Sequence, residues 1–564
     1  MSTSKKGILK ALGPGILFAS TAIGVSHLVQ STRAGSEYGF ALLWAVLLAN
    51  LFKYPFFEYG SRYASATGTS IIDGYKRIGT WMLVLYFIIT LLSMFFVVAA
   101  VGAVTIGFMD NLFGITALTE MPMLTPILLF TICITILMVG KYKVLDSLIK
   151  IIGAVLLIST LLAFFLTLSN GPAEQVVWFE APKEWFSTTA GIAFVIALMG
   201  WMPTAVDLST WNSLWTIERM KQTGYRPTLK ETLFDFNFGY LASALLSICF
   251  VTLGAFLIYG TGQPMPKASG GFANSVVNLY TQSIGSWSYI IIAAAAFSIM
   301  FSTCIAVFDG YARAMERTSE LLFFKEKDQE KLLESKKVYN ISLLVIALIS
   351  FFIIYYFLYR EGSNKEGFKA LVDLAITISF VIAPIIAIVN FVLVGKKYVD
   401  KEYVPPKWMK ALSYGGILFL TGFTIFFLYV KITATEPTKE EHVLQQSIVF
   451  PSANSYDNVT AYYYKDHKNV VNKKAELTPE QVTKLISSFY TAPGKWNHKE
   501  CSGPHHLFVF SQSEKPVLKI WVGFDCGQVD IWANSETQFT KFNVRNASFK
   551  KLAALVQELG LPYQ

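Results

Sequence analysis

Residues Gly13–Phe40, GPGILFASTAIGVSHLVQSTRAGSEYGF, are apolar enough to enter a bilayer yet are broken in the middle. Gly13, Pro14 and Gly15 open the run, and Gly24-Val25-Ser26-His27 interrupt it. A helix crossing lipid must satisfy its own backbone groups, so a small, polar break at mid-depth is stable only beside protein or a water-filled cavity. The break is therefore a candidate binding site. The simpler reading is a glycine-rich helix packed closely on its neighbours, with His27 merely hydrogen-bonded.

The rest of the chain has the composition of a membrane protein. Of its 564 residues 53% are hydrophobic and 15% charged, and the mean hydropathy is +0.47. Most of such a chain has no water-soluble fold. The formal charge of +9 is not read as a nucleic-acid surface, because the basic residues fall in short loops between apolar runs, where they set orientation in the membrane. Lys5, Lys6 and Lys10 precede an apolar run in the manner of a signal peptide, but the Gly-Pro-Gly interruption and the lack of a clear cleavage site predict an uncleaved first helix.

Further runs of spanning length lie near 41–60, 80–106, 124–140, 147–168, 189–210, 236–260, 288–308, 338–358, 370–395 and 411–431. With the first segment they predict an all-α polytopic membrane domain of about eleven transmembrane helices. Lysine and arginine concentrate in loops such as Arg219–Lys230 and Arg313–Lys337 and are sparse in Ser169–Glu184, which predicts a cytoplasmic N-terminus in a cell (inner or plasma) membrane. An odd number of spans then puts the tail outside.

That tail changes character at once. Residues 432–442, with Glu436-Pro437-Thr438-Lys439-Glu440-Glu441, read as a linker between a membrane domain at 1–431 and a small soluble α+β domain at 443–564. Thr478-Pro479-Glu480-Gln481 supplies a capping box with proline at the first helical position, and Val482, Leu485, Ile486 and Phe489 give one apolar face. His505–Phe510, Val517–Val522 and Val529–Trp532 read as strands and Ser548–Leu559 as a closing helix. Cys133, Cys249 and Cys304 fall in apolar spans as small core residues, whereas Cys501 and Cys526 share the exported tail and are expected to pair as a disulfide. The alternative there, a soft-metal site of His498, Cys501, His505 and His506, matches no standard zinc spacing.

A second break lies in the sixth span, at Ala197-Leu198-Met199-Gly200-Trp201-Met202-Pro203-Thr204-Ala205-Val206-Asp207. Pro203 removes a helix hydrogen bond, Gly200 loosens the backbone, and Asp207 is a carboxylate in an apolar setting. Two interrupted helices in corresponding positions of two five-helix halves point to an inverted-repeat secondary transporter with its site at the midplane. Other charges within spans are Glu58 and Arg62, spaced as an i,i+4 ion pair, the deeper Lys53, a counter-ion or a snorkelling lysine, and Asp373 near an outer helix end.

At these residues a family resemblance becomes specific. Gly13-Pro14-Gly15, Ala34-Gly35-Ser36-Glu37-Tyr38-Gly39-Phe40, Leu42-Leu43-Trp44-Ala45-Val46-Leu47-Leu48-Ala49-Asn50-Leu51 and Ala66-Thr67-Gly68 resemble the first two helices of the Nramp divalent-metal transporters, and Met202-Pro203 resembles that family's sixth-helix Met-Pro-His motif. The resemblance covers residues 1–431 and implies a LeuT-type 5+5 inverted repeat with proton-coupled uptake of manganese or iron. The chain departs from the pattern where it matters for the cargo. Gly24-Val25-Ser26-His27 stands in place of Asp-Pro-Gly-Asn, Thr204 stands where the family has its histidine, and Trp81–Val104 carries no charged residue.

The chemistry left at the breaks is the Gly24 backbone, the Ser26 hydroxyl, the His27 ring, the Met202 sulfur, the Thr204 hydroxyl, free carbonyls and Asp207. Imidazole and thioether, from His27 and Met202, suit a softer transition metal, whereas helix N-termini at the breaks suit a small anionic or zwitterionic solute. The expected function is a secondary transporter, of a metal cation with altered selectivity or of a small organic solute, driven by H+ or Na+. A transporter-derived sensor whose outer domain recruits a partner is the reading from another class. No nucleophile–base constellation, phosphate loop or dinucleotide fingerprint suggests an enzyme, and no cofactor is expected.

Overall fold

Pro14 opens the first helix, α1 (Pro14–Ala22), at a position where its missing N–H costs nothing. The neighbouring amides of Gly13 and Gly15 donate to the carboxylate of Asp235, at 3.0 and 2.6 Å. After Ala22 the chain continues as a π-helical turn, Val25–Ser31, and a short helix, α2 (Thr32–Tyr38). The computed structural model describes residues 7, 10–172, 189–260, 269–324, 336–360, 367–433, 456–464, 473–487, 505–512, 515–523, 528–535, 538–543 and 549–561. It forms two compact units, Met1–Ala434 and Thr435–Gln564.

The first unit continues with α3 (Leu43–Thr67), α4 (Ile71–Ile78), α5 (Thr80–Phe113), α6 (Ile115–Thr119), α7 (Leu124–Asn170), α8 (Thr189–Gly200), α9 (Leu208–Thr223) and α10 (Leu229–Leu257). It ends with α11 (Ser269–Ile284), α12 (Tyr289–Phe323), α13 (Lys337–Ile354), α14 (Gly367–Leu393) and α15 (Lys407–Thr433). Capping boxes at Ser70/Asp73 and Thr228/Glu231 start α4 and α10. Among the described residues, six segments, Thr80–Phe113, Leu229–Leu257, Ser286–Phe323, Lys337–Tyr359, Gly367–Leu393 and Lys407–Val430, are long and apolar enough to cross a membrane. Val84, Ile88, Leu92, Leu241, Leu245, Leu344 and Leu348 are exposed on these segments, an arrangement that suits lipid and not water.

The expected eleven separate spans are not all found as such. The runs at 124–140 and 147–168 belong to one continuous helix, α7, of 47 residues. Lys141–Asp146 between them contains no glycine or proline to stop it. The first span and the one at 189–210 are each broken in two, as their glycine and proline content predicts.

Helix α10 holds both halves of the broken first helix. A Cβ at Gly239 would run into Gly15 O, and Cβ atoms at Gly35 and Gly254 would run into Val251 O and Thr32 O. Glycine on both sides lets the backbones touch, the usual device for close packing in a bilayer. The expected Glu58–Arg62 pair is present at 2.5 Å, buried within α3.

The second unit is the expected small α+β fold. Its strands β1 (Asn458–Tyr464), β2 (Lys473–Glu476), β3 (His505–Gln512), β4 (Lys515–Gly523), β5 (Gln528–Ser535) and β6 (Gln538–Asn543) form one antiparallel sheet in the order β2-β1-β3-β4-β5-β6. Val459, Ala461, Phe508, Phe510, Leu518, Ile520 and Val522 form its core with Val482 and Leu485 of α16 (Pro479–Ser487) and Leu552, Leu555 and Val556 of α17 (Phe549–Glu558). The Thr478/Gln481 capping box is formed in both directions, at 2.9 and 3.4 Å. Phe489, His498, Cys501 and Cys526 lie outside the described residues. His506 is buried beside the Tyr463 ring.

Candidate functional site at the two helix breaks

The two breaks meet. Ser26 lies at the first, and its Oγ is 2.5 Å from Ala22 O, 3.0 Å from Pro203 O in the second break and 2.8 Å from His27 Nδ1. Between and beside them is a narrow cleft lined by Thr21, Val25, Ser26, Val97, Val101, Trp201, Thr204, Ala205, Leu208, Thr303 and Val307. Its walls come from α1 and its π-helical turn, α5, the second break with the start of α9, and α12.

Of the residues singled out in the sequence, Ser26 and Thr204 line this cleft. His27 does not. Its ring is fully buried, with Nε2 2.9 Å from Ser243 O and 3.2 Å from Ser243 Oγ, and it stands edge-on to Phe250. Because a carbonyl only accepts, Nε2 carries the hydrogen, and the other nitrogen faces Ser26 Oγ. Nε2 thus ties the first break to α10 and Nδ1 stays within the break on Ser26, so both ring nitrogens already have partners, which fits the structural reading of His27 better than the ligand reading.

Met202 is fully buried beside Pro203 and is not among the lining residues. Asp207 is also buried away from the cleft lining, with Tyr311 Oη donating to its Oδ2 across 3.4 Å. Gly24 provides backbone only: its carbonyl accepts from His27 N at 3.2 Å and Leu28 N at 2.9 Å. A Cβ at Gly24 would come within 2.7 Å of Thr303 Cγ2, so the aspartate that the family carries there would require Thr303 to move.

Lys53 is held by backbone carbonyls. Its Nζ donates to Met199 O at 2.6 Å, Gly200 O at 2.7 Å and Thr204 O at 3.4 Å, and the residue is fully buried. The first two of these carbonyls end α8, where a helix leaves its last acceptors unpaired. The approach of α8 to α14 is close, since a Cβ at Gly200 would meet Ile376 Cγ2 at 2.6 Å.

The cleft therefore offers hydroxyl-bearing residues and an apolar wall, with no carboxylate, imidazole or thioether among its described lining residues. Among the described residues there is no group of three or more His, Cys, Asp and Glu that could hold a metal ion. The Nε1–H of Trp201 is buried there with no hydrogen-bond partner among the described residues. Sequence reading does not find Trp201, Thr303, Val97 and Val101 as lining residues. Of these Thr303 carries the clearest signal, a hydroxyl within the apolar run of α12.

A helical membrane domain with two interrupted helices meeting at an internal cleft is the design of a membrane transport protein. Residues 15–430 match the family model described as natural resistance-associated macrophage protein-like, or Nramp, and the chain belongs to that family. It is 33% identical over 422 residues to Uncharacterized protein PM0681 of Pasteurella multocida, covering 74% of this chain and 92% of that one. It is 21% identical over 439 residues to the divalent metal cation transporter MntH of Listeria welshimeri, covering 75% and 90%. A mutant of the Eremococcus coleocola manganese transporter has a similar fold, with a TM-score of 0.58 at 12% identity over 79% of this chain and 92% of that chain.

Proposed function

We propose that this integral membrane protein is a secondary transporter that moves a metal cation by alternating access through the cleft between its two helix breaks. The observation that carries the reading is the direct contact of the breaks, Ser26 Oγ to Pro203 O, beside a cleft with oxygen donors from both. Family membership and the names of the metal-transporting relatives supply the cargo class. The Ser26 and Thr204 hydroxyls would replace part of the cation's water shell. Neutral oxygens without a carboxylate compensate less charge than an acidic site does, so selectivity differs from that of relatives with an acidic motif.

Two five-helix halves of opposite orientation would rock about this point, with transport driven by a H+ or Na+ gradient. The Arg33–Asp373 ion pair at 3.6 Å and the Asp235 hold on Gly13 and Gly15 are the contacts that such rocking would break in turn. The N-terminus is assigned to the cytoplasm and the tail to the outside. Protease added to that side should then release the tail, whereas complete protection would reverse the orientation.

The unpartnered Trp201 N–H favours a second reading. It repels a bare cation and suits an acceptor oxygen, either on water retained by the metal or on a small organic solute. Purified protein in liposomes, offered Mn2+, Fe2+, Co2+, Zn2+, Mg2+ and zwitterionic amino acids under proton and sodium gradients, separates these. Accumulation of a metal supports the proposal. Accumulation of an amino acid alone assigns the organic reading.

A further inference from the structure

Lys53 sits on α3, in the apolar interior, at a position where an ammonium has to be compensated. Its compensation is unusual in kind. The Asp207 carboxylate acts on it electrostatically from beyond salt-bridge distance, and the three acceptors that Nζ meets directly are all backbone carbonyls of one interrupted helix. A Lys ammonium has three donors, and here each meets one carbonyl. Met199 O and Gly200 O end α8, while Thr204 O belongs to the unwound stretch before α9.

Converging carbonyls at the C-terminal end of a broken helix carry the negative end of its dipole and make a ready cation site. We infer that the carbonyl cluster formed by Met199, Gly200 and Thr204 is a monovalent-cation site occupied by the chain's own Lys53 ammonium. The protein thus carries a tethered cation that holds the second break in shape, leaving no place there for a free one. Removing the amine while keeping the backbone should create a vacancy for a small primary ammonium.

Lys53→Ala removes three carbons and the nitrogen, the atoms of n-propylammonium. Thermal unfolding of the purified full-length protein in detergent reads the result, with the wild type, Lys53→Ala and Lys53→Met compared in n-propylammonium and in n-propanol. Both variants should lose several degrees in Tm, because three buried carbonyls lose their donor. Propylammonium should raise the Tm of Lys53→Ala saturably and leave the wild type and Lys53→Met unmoved, and propanol should restore nothing. Equal rescue by propanol, or a Lys53→Met protein as stable as the wild type, would show that only apolar packing matters and overturn the inference. Should Lys53→Ala not accumulate in membranes, growth with propylammonium decides: recovery of the protein supports the site, and no recovery overturns it. The readout is stability, so failure here is distinct from failure of the transport proposal.

Discussion

Ser26 Oγ lies 3.0 Å from Pro203 O, although 177 residues separate the two in the chain. This contact joins one interrupted helix to the other, and the same oxygen is 2.8 Å from His27 Nδ1. Ser26→Ala removes the single hydroxyl hydrogen that Ala22 O, Pro203 O and His27 Nδ1 compete for, and leaves a buried acceptor short of a donor. A loss of roughly 1–3 kcal/mol is expected, read as a lower Tm, together with weaker uptake of the cargo. An unchanged Tm would mean that the breaks are held together by packing alone.

Glycine at the crossing of α1 and α10 should be irreplaceable, since a Cβ at Gly239 would overlap Gly15 O. Gly239→Ala is expected to cost about 1–3 kcal/mol through forced separation of the helices. Gly422→Ala is the control, because nothing lies within 4 Å of its would-be Cβ. Equal effects of the two on thermal unfolding would contradict the close approach.

Asp235 accepts from two amides at the start of α1, Gly13 N and Gly15 N. Asp235→Ala should leave that end of the helix loose, at a cost of roughly 2 kcal/mol or more, since hydrogen bonds to a charged group are the stronger kind. Faster hydrogen exchange in residues 13–18 is the measurement, and unaltered exchange would count against the anchoring role.

In the tail, Lys484 bridges α16 to Glu558 of α17 at 3.1 Å. The Lys484 ammonium, and next the Gln481 amide, hold the Glu558 carboxyl below its ordinary value, and hydrogen bonding to Glu558 raises the Lys484 ammonium above its own. The depressed carboxyl contributes stability above its unfolded value of 4.5, and this is lost as the pH falls through the lower folded value. The raised ammonium contributes below its unfolded value of 10.5, and this is lost as the pH rises through the higher folded one. Both groups are exposed to solvent, so the effect is small and screened by salt. In a pH series of tail unfolding, Glu558→Gln should weaken the acid-side and alkaline-side losses together. An unaltered profile would show that the pair does not matter.

Both breaks are legible in the sequence because they are written locally, in Gly24, Gly200 and Pro203. What each side chain faces is not, because it depends on helices distant in sequence. His27 at mid-depth reads as a ligand until α10 places Ser243 against it, and Lys53 is conspicuous in an apolar run while its acceptors lie 146 to 151 residues away. Helix α7 reads as two spans because hydropathy dips at Lys141–Lys150, yet the backbone has no reason to stop there. In the tail, β3, β4 and β5 show in the pattern, whereas β2, Lys473–Glu476, has too little apolar alternation to show.

A metal cation is proposed to pass between the two breaks, and filling the cleft tests this most directly. Ala205 lines the cleft and is 2% exposed, so Ala205→Phe would project a ring into the space beside Ser26 and Thr204. Uptake of the identified cation into proteoliposomes should fall roughly tenfold or more, in protein whose Tm shows that it is still folded. Undiminished uptake by the folded variant would contradict a route through this cleft.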